Sequence, residues 1–289
     1  MTNKNGGKMK KLLALFTFMV LAANVATAAV RVSPSYVEVD ANKTKKDYIT
    51  GSFTVSGGKD ETIRFKVYPE YFEYDSKGRF ISLEDKNQPR SLMGKLKFFP
   101  NEFTCKDGLT QKVRFTITDL KKLPAGESKL VLFLEDVNTK EVLIKKANGQ
   151  IGGKIIVKTR VGVPVYLDKG NYSKRGVLDA VALKQQGEQI ACEYKVSSMG
   201  NSKIRYTGFG YLSQGDKLIK QFDIHGSTVE GGKFLEMVQK LEVPKDQLIA
   251  GKEYKFKFVL TYRDEKDNQK VLKKEMIFIP EKTVTSKVL

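Results

Sequence analysis

Apolar and polar residues alternate at period two along nearly all of the chain beyond residue 29. Val37 and Val39 flank Glu38; Ile63, Phe65 and Val67 alternate with Arg64 and Lys66; Val113, Phe115 and Ile117 alternate with Arg114 and Thr116. Later, Tyr254, Phe256, Phe258, Leu260 and Tyr262 alternate with Lys255, Lys257 and Thr261. Successive side chains on a strand point to opposite faces, so this pattern predicts half-buried strands with one wet face. Turn-forming clusters separate the runs at residues 40–43, 57–58, 75–78, 106–108, 124–126, 200–201 and 264–268. Many short strands punctuated in this way predict an all-β chain of antiparallel sandwiches. Residues 233–241 are ambiguous: Phe234, Met237, Val238 and Leu241 fit a helix, whereas Leu235, Met237, Leu241 and Val243 fit a strand.

Two stretches echo each other. Pro34, Val37-Glu38-Val39, a polar turn and Phe53-Thr54-Val55 are matched by Pro100, Phe103-Thr104-Cys105, a turn and Phe115-Thr116-Ile117. Each unit of strand, turn and strand supplies the two layers of one sandwich. The polar, Gly-containing run over residues 167–172 is the expected domain break. The chain therefore reads as one sandwich over 29–167, a second over 168–282 and a short tail over 283–289.

The stretch from Ile151 to Val165 stands out by its length. Its odd positions are Ile151, Gly153, Ile155, Val157, Thr159, Val161, Val163 and Val165, while Lys154, Lys158 and Arg160 fall on the even ones. Such a run, as one strand, extends about 50 Å at ~3.3 Å per residue, against about 17–20 Å for an ordinary strand. One sandwich cannot cover that face, so residues 151–157 are expected to overhang. They do so either as an apolar edge open to strand addition by a partner or as a hairpin arm paired within its own domain.

The N-terminus changes the setting. A basic head with Lys4, Lys8, Lys10 and Lys11 (Met9 is an alternative start) precedes apolar residues 12–23 and Ala26-Thr27-Ala28. That is the pattern of a secretory leader over 1–28, cleaved after Ala28. No later apolar run exceeds a strand in length, so no stable membrane insertion is expected. The leader takes four lysines with it, lowering the formal charge from +18 to +14. Lys outnumbers Arg by 42 to 9, and Arg is the side chain suited to bidentate phosphate and base recognition. The surplus therefore reads as solubility and edge protection, with no nucleic-acid partner.

One histidine, His225, and two cysteines leave too few ligands for the common zinc sites and make a histidine-based triad a poor fit. No carboxylate pair is spaced for acid–base work, so the chain reads as a non-enzyme without a metal or other cofactor. Cys105 and Cys192 both fall on apolar faces of alternating runs and read as core thiols in separate domains, with a disulfide bridge, which export permits, as the alternative. Tyr68, Tyr71, Phe72 and Tyr74 read as strand packing, with carbohydrate binding as the alternative.

Four places resemble the periplasmic pilus chaperones, the PapD-like family. They are Val32-Ser-Pro34-Ser-Tyr36-Val-Glu-Val39; Phe99-Pro100-x-x-Phe103 with Gln111-Lys-Val-Arg-Phe115; Leu123-Pro-Ala-Gly-Glu127-Ser128 leading into Leu130 to Leu134; and Lys158-Thr-Arg160-Val-Gly162-Val-Pro-Val-Tyr166. The resemblance spans nearly all of the exported chain. It implies two immunoglobulin-like sandwiches in a boomerang arrangement and a periplasmic location. It also implies a chaperone that stabilises pilus-like or other secreted β-subunits by donating the last strand of its first domain. An outer-membrane usher and a self-capped dimer are among the partners it implies. The donated residues are then Ile151, Ile155 and Val157, with Gly153 an unfilled place.

The family anchors the subunit's C-terminal carboxylate with an Arg in the first strand and a Lys in the last. Those positions here hold Tyr36 and Gly162, so neither anchor is retained. Arg160, on the same face as Gly162, and Lys158 beside it are the substitute cations; alternatively, both simply blunt a strand edge. The lost pair keeps a second class of function open, an exported two-sandwich structural or adhesive surface protein that binds protein or glycan.

Overall fold

The computed structural model of the chain describes residues 30–58, 62–83, 88–106, 108–138, 140–145, 151–187, 189–243 and 248–281. The leader over 1–28 and the tail over 283–289 lie outside them. The described residues form two β-sandwiches, each with its own core. In the first, β1 (Arg31–Ser33), β3 (Tyr48–Ser56), β8 (Thr110–Thr118) and β6 (Leu96–Phe99) make one sheet, in that order. The facing sheet runs β2 (Val37–Asp40), β12 (Arg160–Lys169), β9 (Gly126–Asp136), β4 (Ile63–Tyr74) and β5 (Phe80–Leu83), with β7 (Glu102–Cys105) also on β4. Phe53, Val55, Val113 and Phe115 of one sheet meet Phe65, Leu130, Leu132 and Val163 of the other. The sequence echo is visible here: β2 and β7 belong to one layer, and β3 and β8, which follow them, to the other.

β9 is buried on both faces. Leu130, Leu132 and Leu134 enter the core, while Val131 and Phe133 on the outer face join Phe72 and Tyr166. Tyr36, Tyr68 and Tyr74 pack against that outer cluster. The aromatic run thus forms a packed layer over the sheet.

The second sandwich stacks β13 (Gly176–Gln186), β14 (Gln189–Ser198) and β17 (Phe234–Leu241) against β16 (Lys217–Val229), β15 (Ile204–Gln214), β18 (Tyr254–Arg263) and β19 (Gln269–Phe278). The ambiguous residues 233–241 are strand: Leu235 pairs with Val196 and Met237 with Tyr194, which sends Leu235 and Leu241 into the core. Cys105 and Cys192 are free and buried, one in each core. Burial pushes the Cys192 thiol up to about 12.

β12 carries the first sandwich to Lys169, past the boundary expected at 167, and residues 170–175 lead to β13. The junction between sandwiches is polar and buried. Lys203 is 2 % exposed, with its ammonium 3.0 Å from Glu127 and 3.2 Å from Glu38. Lys129 pairs with Glu230, both buried; burial drives the Lys129 ammonium down, and Glu230 restores it only in part. Main-chain bonds also cross, from Glu127 N to Asn201 O at 3.1 Å and from Glu236 N to Ser76 O at 2.7 Å.

The continuous strand expected from Ile151 to Val165 is interrupted at Lys158 and Thr159. It is two strands, β11 (Ile151–Val157) and β12. β11 pairs with β10 (Lys140–Lys145), the continuation of β9, in a separate two-stranded ribbon. Val157 faces Lys140, whereas Arg160 faces Glu135, so three steps along one strand oppose five along the other. The unequal count ends the ladder of the sandwich, and the ribbon starts beyond it.

Candidate functional site

The hairpin β9–β10–β11–β12 has a long strand edge, along β11 and β12, without a strand partner among the described residues. β10 and β9 occupy one side of β11 and β12. On the other side, β2 pairs with β12 only from Val165 to Asp168. The open edge therefore runs along β11 and on through Arg160 to Pro164. Unpaired backbone groups in such a row are a template for another strand.

Three successive side chains on this edge are apolar and exposed. Ile155 is 48 %, Ile156 60 % and Val157 41 % exposed. Ile155 and Val157 share one face, as their spacing predicts; Ile156 lies on the other, so β11 presents apolar surface on both sides. A bulge at Gly152 lies between the pairs Ile144–Gly153 and Lys145–Ile151. It interrupts the strict alternation from Ile151 to Gly153.

At the base of the ribbon, Arg160 lies over the Phe133 ring, 4.2 Å from its centroid, and 3.6 Å from Glu70. Lys158 is 3.4 Å from Glu135, which also accepts a 2.8 Å hydrogen bond from the Tyr68 hydroxyl. The Tyr68 bond, aided by Lys158 against a burial penalty, holds the Glu135 carboxyl below its ordinary range. The two cations thus come together, and each already has a carboxylate. Gly162 is accounted for by packing: a Cβ there falls 2.9 Å from Val131 Cγ2 and 3.0 Å from Phe133 Cε1. A side chain at 162, a lysine included, crowds Val131 and the ring on which Arg160 rests, and both must shift to admit it.

Tyr36 is half-buried beneath the Arg205 guanidinium, 3.5 Å from its ring centroid. The expected substitute cations, Lys158 and Arg160, belong to the first domain, whereas Arg205 comes from the second. No spacing in the chain links these positions. Tyr36 and Arg205 line a cavity of about 450 Å³ between the sandwiches, together with Glu38, Lys174 and Lys203. Burial alone raises the Glu38 carboxyl, but Lys203, Lys174 and Arg205 outweigh it and hold it below its ordinary value. Ile156 was also missed, although three successive apolar residues, Ile155 to Val157, are themselves the signal of a strand apolar on both faces.

The chain is similar to several solved chaperones. It matches the YadV chaperone at 8 % identity, over 86 % of this chain and 99 % of that one, with a TM-score of 0.45. For the Pseudomonas aeruginosa CupB2 chaperone the values are 10 % identity, 85 % and 100 %, and 0.43. For the Salmonella enterica SafB chaperone, solved with the SafA pilin, they are 10 %, 88 % and 97 %, and 0.37. No family model and no curated protein matches the chain.

Among the described residues, no group of three or more His, Cys, Asp or Glu side chains is arranged to hold a metal ion.

Proposed function

We propose that the chain is an exported, periplasmic chaperone that holds secreted β-rich subunits, such as those of a pilus, by donating a strand. The observation that carries this reading is the open edge from β11 through Pro164, with Ile155 and Val157 exposed along it. A subunit that lacks one strand exposes part of its core and a row of unpaired backbone groups; an added strand covers the first and pairs the second. Full burial of an Ile or Val from water contributes about 1.5–3 kcal/mol. Ile155 and Val157, near half exposure, hold roughly half of that in reserve for a partner. Ile151, expected as a third donated residue, lies beyond the bulge at Gly152 and in register with Lys145, so the two-residue spacing does not reach it and the donated set is Ile155 and Val157.

Arg160 is the carboxylate anchor in this reading, with Lys158 beside it. Phe133 fixes the guanidinium at 4.2 Å while 45 % of the side chain stays exposed. A 3.6 Å surface contact with Glu70 is weak enough for a client carboxylate to displace. The open edge is also the surface through which an empty chain caps itself as a dimer, and an outer-membrane usher is the natural recipient of the loaded complex.

The test is co-purification of the tagged chain with exported subunits identified by mass spectrometry. Ile155→Asp combined with Val157→Asp is expected to abolish recovery of the subunit and leave the melting temperature in place, because both side chains are already exposed. Undiminished recovery overturns the donated-strand reading. Arg160→Ala is expected to weaken the complex by about tenfold, the value of a hydrogen bond to a charged group. Unchanged affinity removes the anchor and leaves the edge strand standing.

A further inference from the structure

The outer face of the sheet β16-β15-β18-β19 takes no part in the donated edge. On it, Phe209 of β15 and Val271 of β19 are 41 % and 56 % exposed, with Val259 of β18 half-buried. Phe209 pairs with Val259, and Val271 lies one row on, opposite Thr261. Lys255, Lys257 and Lys273 surround this centre against two acids, Asp223 and Glu275, of which Glu275 is already bound to Lys255 at 2.6 Å. An apolar centre within a net basic rim is the anatomy of a protein contact surface whose partner carries an acidic rim.

The position of this face says which partner. Its end rows, through Thr207, Thr261 and Gln269, line the interdomain cavity opposite Tyr36. Tyr36 immediately precedes β2, the strand that closes the open edge at Val165. A strand added along Arg160 to Pro164 therefore ends at the mouth of the cavity, and the body that carries it stands beside this face.

We propose that the face centred on Phe209, Val259 and Val271 is a second wall of the client site and contacts the same exported subunit through an acid-rimmed apolar surface of that subunit. This rests on the donated-strand reading and extends the client site onto the second sandwich.

Photo-crosslinking in the cell separates the two claims. Benzoyl-phenylalanine is placed at position 155 in one full-length chain and at position 271 in another, and the crosslinked proteins are identified by mass spectrometry. The expected result is one and the same exported subunit at both positions, joined at 271 through a segment containing Asp or Glu. Phe209→Asp with Val271→Asp, both exposed, is expected to reduce the crosslink at 155 by about tenfold without moving the melting temperature. Capture of a subunit at 155 with nothing, or a different protein, at 271 overturns the second wall and leaves the donated strand intact. Capture at neither position, or at 271 alone, overturns both.

Discussion

Lys203 is a buried charge that belongs to neither core. Its ammonium is 3.0 Å from Glu127, 3.2 Å from Glu38 and 3.8 Å from the centroid of the Tyr166 ring. An ion pair in such a place offsets its own desolvation only while both partners and their hydrogen bonds remain. Lys203→Met strands the Glu127 carboxylate, which is 5 % exposed, and is expected to destabilise the chain by about 3–5 kcal/mol. A thermal melt reads this as a fall of roughly 2–4 °C per kcal/mol. Adding Glu127→Leu is expected to recover much of the loss, since no orphaned charge then remains. If Lys203→Met alone leaves the melt unchanged, the network does not hold the junction.

At the scale of elements, the decisive feature is the hairpin that leaves the first sandwich as β9 and β12 and continues as the ribbon β10–β11. Its outer face is kept flat near the base by Gly162, over which Phe133 lies. Gly162→Ala pushes a methyl group against Val131 and Phe133, and overpacking of this kind costs about 1–3 kcal/mol. Chemical denaturation is expected to show that loss, and a neutral result means that the ring moves aside freely. The apolar overhang was legible from length and alternation, because the face of each residue follows from its parity. The break at Lys158 and Thr159 was not. It arises from unequal residue counts on two paired strands, and a single strand's pattern holds no information on its partner's count. The same limit hid Gly162's reason for being small, since Phe133 comes from the neighbouring strand.

For the whole molecule, the junction ties the two sandwiches together through buried polar pairs. Polar pairs from β9, β4 and β12 close on residues near the start of β15 and the end of β16. Acid is the natural probe. Burial raises Glu38 and Glu73, but neighbouring cations, Lys203 for the first and Lys233 for the second, hold both below the ordinary 4.5. A depressed carboxyl contributes stability that is whole above its unfolded value and is lost as pH falls through its folded one. Calorimetry is therefore expected to give one transition at neutral pH, moving down and losing cooperativity as pH falls below about 4.5. Glu38→Gln should flatten that fall, and a melting temperature constant from neutral pH to about pH 3 contradicts the assignment.

Alternation by itself determined that the chain is all-β, that it forms two sandwiches, that Cys105 and Cys192 are core thiols, and that apolar residues 151–157 outrun the sandwich. These are properties of a strand's own face, set by period two and by the need to bury one side. Tertiary structure alone decided which edge stays open, that Arg205 of the second sandwich covers Tyr36 of the first, and that the junction is sealed by buried charge. Those depend on register and on contacts between residues far apart in the chain, and neither is encoded in the order of neighbouring residues.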